Sequence, residues 1–161
     1  MKKRTICIDF DGVLHDYSEG FKGKDVFGGM VPNADKGTQL LHEKGWTIII
    51  YTTRPKTEKL EKWLKDNNVA YDFINENPSQ PEDSKGCKLI ADLYLDDRGM
   101  RFNGRWDEWI MSDIAGFQPW QNDMKDNMRK RYEESARWLD EKPHDDIWQA
   151  GDEKRITHTS R

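Results

Sequence analysis

Apolar residues gather in short runs separated by polar stretches with helical spacing. Thr5 to Phe10 (TICIDF) is β-branched and apolar and stops at Asp11-Gly12, which predicts a buried strand closing in a tight turn. Trp46 to Tyr51 (WTIIIY) is nearly continuous in apolar residues, as a strand covered on both faces must be. Tyr71 to Ile74 and Leu89 to Leu95 predict a third and a fourth strand, and Met100 to Asn103 a short fifth. The spacing between these runs predicts helices. One runs from about Ala34 to Lys44, opened by Pro32-Asn33 and stopped by Gly45, with Leu40 and Leu41 facing inward. A second, Thr57 to Asp66, places Leu60, Trp63 and Leu64 on one stripe, and a third covers about Trp106 to Ile114. Strands alternating with helices pair in parallel through right-handed crossovers, so the predicted fold is α/β, a three-layer Rossmann-like sandwich around a central parallel sheet.

Two segments fall outside this alternation. Val13 to Val31 carries Gly20, Gly23, Gly28 and Gly29 and has no periodicity, so it reads as a loop or flap long enough to suggest a role of its own. From Gly116 onward GFQPWQ reads as a linker. Asp123 to Glu141 then reads as a helix with Met124, Met128, Tyr132, Ser135 and Leu139 on one stripe, followed by a polar end. The division expected is a catalytic domain over 1–115 and a helical extension over 116–161.

Composition changes this picture only modestly. With 161 residues there is room for one α/β domain and an appendage. Charged residues make up 35% and mean hydropathy is -1.02, yet seven Trp, six Phe and five Tyr supply a core and argue against disorder. A net charge of -4 gives no overall basic footprint for nucleic acid. Cys7 and Cys87 have neither paired spacing nor plausible zinc partners, and both read as small buried residues in a reducing compartment. The basic start MKKRT is followed by an apolar run cut short at Asp9, too brief for a signal peptide or a membrane span, so the cytoplasm is the expected location.

The chemistry lies at the strand ends. Asp9 and Asp11 close the first strand, Thr52, Thr53 and Arg54 the second, and Asp96 and Asp97 the fourth. In an open parallel sheet these carboxyl ends converge on one crevice. Singly, each is a common turn or helix entry. Together they place four carboxylates in one crevice, an arrangement that calls for a compensating cation, and magnesium, a hard oxygen-seeking ion, fits best. Such an ion also permits an anionic carboxylate to attack an anionic phosphate.

On these residues the sequence resembles the haloacid dehalogenase (HAD) superfamily of phosphohydrolases. TICIDFDGVL is similar to its first motif, WTIIIYTTR to its second and ADLYLDDR to its fourth. The resemblance implies that Asp9 attacks phosphorus to form an aspartyl-phosphate and that Asp11 serves as acid and base. It implies further that Thr52 binds the phosphoryl group, that Asp96 ligates magnesium with support from Asp97, and that the Asp11 carbonyl completes the protein ligands. Thr53 and Arg54 are candidates for contacts to phosphate or substrate. The third motif, a lysine that offsets charge, falls on Lys88 by its spacing from Asp96, with Lys85 as the alternative. The resemblance extends from Thr5 to about Ile114.

Only about forty residues separate Asp11 from Thr52, too few for a large cap domain, so the flap with Tyr17, Phe21 and Phe27 is the available cover in the core. LDDR also resembles the ending in deoxyribonucleotidases. The leading expectation is a magnesium-dependent phosphomonoesterase acting on a phosphorylated small molecule such as a nucleotide. The alternatives are a polynucleotide end phosphatase, using the basic Lys125, Arg129, Lys130, Arg131 and Arg137, and a non-catalytic interaction protein of the same fold. The late helix is a candidate contact for a homo-oligomer. His15 reads as a polar loop residue and is left out of the site.

Overall fold

The computed structural model describes residues 3–84, 86–102 and 104–118. In chain order it contains β1 (Thr5–Ile8), α1 (Ala34–Glu43), β2 (Thr47–Ile50), α2 (Glu58–Asp66), β3 (Phe73–Ile74), a 3-10 turn (Glu82–Ser84), β4 (Leu93–Leu95) and α3 (Glu108–Gly116). The strands form one parallel sheet in the order β3-β2-β1-β4, with Ile8 opposite Ile50 on one side and Leu95 on the other. The fold is therefore α/β with a parallel sheet, as the alternation predicts.

Strand alternation divides the core. Ile6 and Ile8 of β1 and Ile48 and Ile50 of β2 point to one face, where Leu60 and Leu64 of α2 and Phe10, Leu14 and Trp46 bury them. Cys7 and Ile49 point to the other, where Leu89 closes over them beside Tyr51, Phe73 and Tyr94. Burial on both faces is why these strands read as continuous apolar runs. Thr57 caps α2 by accepting the Leu60 N–H at 3.2 Å, and Gly45, at a φ of 80°, turns the chain out of α1. Edge strand β4 is less covered, with Leu93 and Leu95 almost half exposed.

The fourth run is where the sequence pattern misleads. Leu89 to Ala91 is apolar but is not strand. Leu89 folds into the second core cluster, and its carbonyl accepts the Tyr94 hydroxyl, so pairing with β1 begins only at Leu93. No strand forms among the described residues of 100–103. Cys7 is buried as expected, and burial pushes its thiol up to about 11, whereas Cys87 is exposed, which corrects its assignment to the core. The predicted late helix, its basic residues and nearly all of the 116–161 extension lie outside the described residues. No helix among the described residues is long and apolar enough to cross a membrane.

The strand order also fixes where a site can form. From β1 the chain steps outward to β2 and β3, then returns past β1 to lay β4 on its other side. The carboxyl ends of the neighbouring parallel strands β2, β1 and β4 thus lie side by side, where open parallel sheets place their ligand crevice.

Candidate active site

A cleft of about 370 Å³ lies at that point, lined by Asp9 and Asp11 after β1, Tyr51, Thr52 and Thr53 after β2, Asp96 and Arg98 after β4, and Tyr17 from the flap. The ladder carries two of these loops past the strand ends. Asp9 N–H donates to the Leu95 carbonyl at 2.9 Å and Tyr51 N–H to the Ile8 carbonyl at 2.8 Å, so Asp9, Thr52 and Asp96 start from nearly the same level of the sheet.

The floor of the cleft is acidic. Carboxylate oxygens of Asp9, Asp96 and Asp97 all lie within 4.8 Å of one another. Asp97 has its carboxylate fully shielded from solvent, with Arg98 Nε 3.8 Å away, while Asp96 is exposed and accepts the Arg98 N–H at 2.7 Å. Burial raises the Asp9 carboxyl from the ordinary 3.8 to about 7. The charges of Asp96, Asp97 and Asp11 push the same way, and the Phe10 N–H bonded to Asp9 Oδ1 at 2.8 Å opposes them only in part. Three hard oxygen donors this close, at least one reluctant to ionise alone, fit a divalent cation such as magnesium. The Asp11 carboxylate, whose expected part is acid and base while its backbone carbonyl is the expected ligand, stands outside this cluster.

Asp11 lines the same cleft but is held from the flap side. Arg54 donates from Nε to both of its oxygens, at 3.1 and 2.8 Å, and from Nη2 to Oδ1 at 2.9 Å. His15 Nδ1 lies 2.9 Å from Oδ1. The other His15 nitrogen, Nε2, is 2.6 Å from the Gly28 amide, which can only donate, so His15 carries its proton on Nδ1 and gives it to Asp11. Burial on its own would raise the Asp11 carboxyl. The bonds from His15 and Arg54 and the Arg54 charge outweigh it and hold the group below the ordinary carboxylate range.

This geometry revises the part expected of Arg54. Instead of reaching toward a substrate phosphate, it is buried, at 3% exposure, and its remaining donor nitrogen Nη1 bonds the carbonyls of Gly23 at 2.8 Å and Lys24 at 3.1 Å. Thr52 and Thr53 do line the cleft. Asn75, which the sequence did not single out, splints their turn by accepting the Thr52 N–H at 2.8 Å and donating to the Arg54 carbonyl at 3.1 Å. Lys88 does not line the cleft. Its ammonium stands 4.8 Å from the centre of the Tyr94 ring, and Lys85 lies outside the described residues. The cation that does line the cleft is Arg98, whose guanidinium stands 6.0 Å from the Tyr17 ring across the mouth.

His15 is the residue sequence reading missed. It is only 3% exposed, stacks on Phe10 with ring centres 5.2 Å apart, and returns to Asp11 because residues 10–15 wind into a tight turn. Gly12 sits at a φ of 92° in that turn, and its N–H bonds the His15 carbonyl at 2.8 Å. The spacing of four from Asp11 to His15 is the one signal the sequence offered.

No protein-family model matches the chain, and no curated protein matches it closely enough to serve as a relative. A solved structure, that of a conserved protein coded by a locus of Bacteroides thetaiotaomicron, superposes with a TM-score of 0.50. The match covers 71% of this chain and 90% of that one at 23% identity, a likeness of fold alone.

Proposed function

We propose that this chain is a magnesium-dependent phosphomonoester hydrolase in which Asp9 is the nucleophile. In this reading the four-stranded sheet is the central layer of a three-layer HAD-type sandwich, working in the cytoplasm on a phosphorylated small molecule such as a nucleotide. The observation that carries it is the meeting of Asp9, Asp96 and Asp97 within 4.8 Å, beside Thr52 and Thr53, at a cleft on the carboxyl ends of a parallel sheet.

Asp9, Asp96 and Asp97 would hold the cation, which supplies charge neutralisation between carboxylate and phosphate. An Asp9 carboxylate oxygen attacks phosphorus, the bond from phosphorus to the ester oxygen breaks, and the phosphoryl group is left on Asp9. Thr52, whose hydroxyl is anchored by the Arg54 N–H at 3.1 Å, stands where it can donate to a phosphoryl oxygen. The departing oxygen leaves as an alkoxide that must gain a proton. In the second half a water attacks phosphorus and loses its proton, phosphate departs, and Asp9 is regenerated.

Asp11 is the acid and base by resemblance, and its surroundings weight the two tasks unequally. Held as a carboxylate by Arg54 and His15, it is ready to accept the proton of the attacking water and poorly disposed to carry one to the leaving group. Turnover should accordingly favour esters of acidic alcohols. The test is phosphate release from aryl phosphates, nucleotides, sugar phosphates and 3′-phosphorylated oligonucleotides, with magnesium and with chelator. Magnesium-dependent release that Asp9→Asn abolishes is expected. Release from no substrate, or release undiminished in Asp9→Asn, would end the proposal.

A further inference from the structure

The flap is fastened to the site at two places, and both fastenings run through one carboxylate. Arg54 Nε and Nη2 hold Asp11 while Nη1 holds the carbonyls of Gly23 and Lys24. His15 holds Asp11 by Nδ1 and the Gly28 amide by Nε2. A Cβ at Gly28 would only touch the Asp16 carbonyl at 3.4 Å and His15 Nε2 at 3.5 Å, so the fastening uses the Gly28 amide and does not depend on the missing side chain. The guanidinium lies among aromatic rings, 5.0 Å from the Phe21 centre, 5.2 Å from Phe27 and 5.7 Å from Phe10. Charge-assisted bonds in so dry a setting are the strong ones. Among the described residues Thr57 Oγ1 also bonds Asp25 at 2.9 Å and Trp63 Nε1 the Gly28 carbonyl at 3.1 Å, and neither touches the cleft floor.

We propose that Arg54 and His15 are positioning residues that lock the flap onto Asp11, making the flap a standing wall of the cleft that presents Tyr17 at its mouth. Asp11 thereby serves two masters: the carboxylate that faces the reaction also keeps the wall in place. Substrate enters beside Arg98 and Tyr17 while the flap stays shut. The effect on turnover rests on the phosphohydrolase reading, whereas the lock itself does not.

Hydrogen exchange of the full chain, read by mass spectrometry over residues 16–29, tests the lock without any substrate. In Arg54→Ala and Asp11→Asn this segment should exchange faster by about tenfold or more, the factor carried by one lost bond to a charged group, with β2 unchanged. Asp9→Asn should keep the wild-type protection. Guanidinium chloride at low millimolar concentration should restore protection in Arg54→Ala, and kcat with it, more than KM. Wild-type protection of 16–29 in Arg54→Ala would overturn the proposal, since Asp25 and Trp63 would then suffice. Should Arg54→Ala loosen β2 equally, Arg54→Lys decides: faster exchange confined to 16–29 upholds the lock and wild-type protection there refutes it. A sound lock without phosphatase activity sinks only the catalytic reading. Magnesium-dependent turnover with no lock sinks only this one.

Discussion

Asp9 and Asp11 stand two residues apart on one turn, yet they sit in opposite electrostatic regions. Asp9 belongs to an acidic floor, where burial and the charges of Asp96 and Asp97 lift its carboxyl to about 7. Asp11 belongs to the flap anchor, where His15 and Arg54 hold its carboxyl down. An i, i+2 spacing would keep both carboxylates on one face of a continuing strand, but β1 ends at Ile8 and the chain turns at Gly12, at a φ of 92°, so each aspartate takes its own set of neighbours. Neighbours, more than position in sequence, decide which carboxyl is pushed up by like charges and which is held down by a cation.

The comparison can be broken most sharply at Asp9. Asp9→Asn should lower turnover by about four orders of magnitude or more, the scale seen when a nucleophile is removed, with little loss of stability because an unfavourable charge goes with it. Steady-state phosphate release and thermal melts would measure both. At the anchor the balance reverses. Arg54→Ala should cost about 3 kcal/mol of stability by stranding a partly buried carboxylate, read by urea denaturation, and a loss under about 1 kcal/mol would show that Asp11 is well solvated.

The floor and the anchor should also part company with pH. Between the ordinary 3.8 and about 7 the folded protein binds more protons at Asp9 than the unfolded chain does, so this group's contribution to metal-free stability falls as pH rises through that window. Asp11 contributes in the other sense: its stabilisation is present above the ordinary carboxylate range and is lost as pH falls through its lowered value. Because a bound cation must displace the proton from Asp9, magnesium should raise Tm more above about pH 7 than near pH 5. Equal shifts at both would mean that Asp9 is not a ligand. The smallest effect belongs to Lys88. With its ammonium over Tyr94, Lys88→Ala should change turnover by less than about threefold, consistent with a cation over an exposed ring being worth only about 0.5–1 kcal/mol. A large loss would bring Lys88 to the phosphate after all.

Much of the framework is legible in the sequence because strand ends punctuate themselves. TICIDF and WTIIIY are buried on both faces and leave little choice of element, and the acids and threonines that follow them fall in the cleft as read. Leu89 to Ala91 misled because an apolar residue reports burial and not strand pairing. The anchor was illegible for a different reason. Arg54 is 43 residues from Asp11, and His15 reaches it only through a tight glycine turn, so neither contact leaves a periodic trace. A buried arginine in a TTR turn looks like a phosphate contact until its partners are visible.

The central claim, that Asp9 takes up the phosphoryl group, is tested most directly by acid-quenching the protein during incubation with an aryl phosphate and magnesium and mapping its peptides by mass. A hydroxylamine-sensitive adduct of one phosphoryl group on Asp9, absent in Asp9→Asn, is the predicted result. Turnover with no adduct there, or an adduct on another residue, would contradict it.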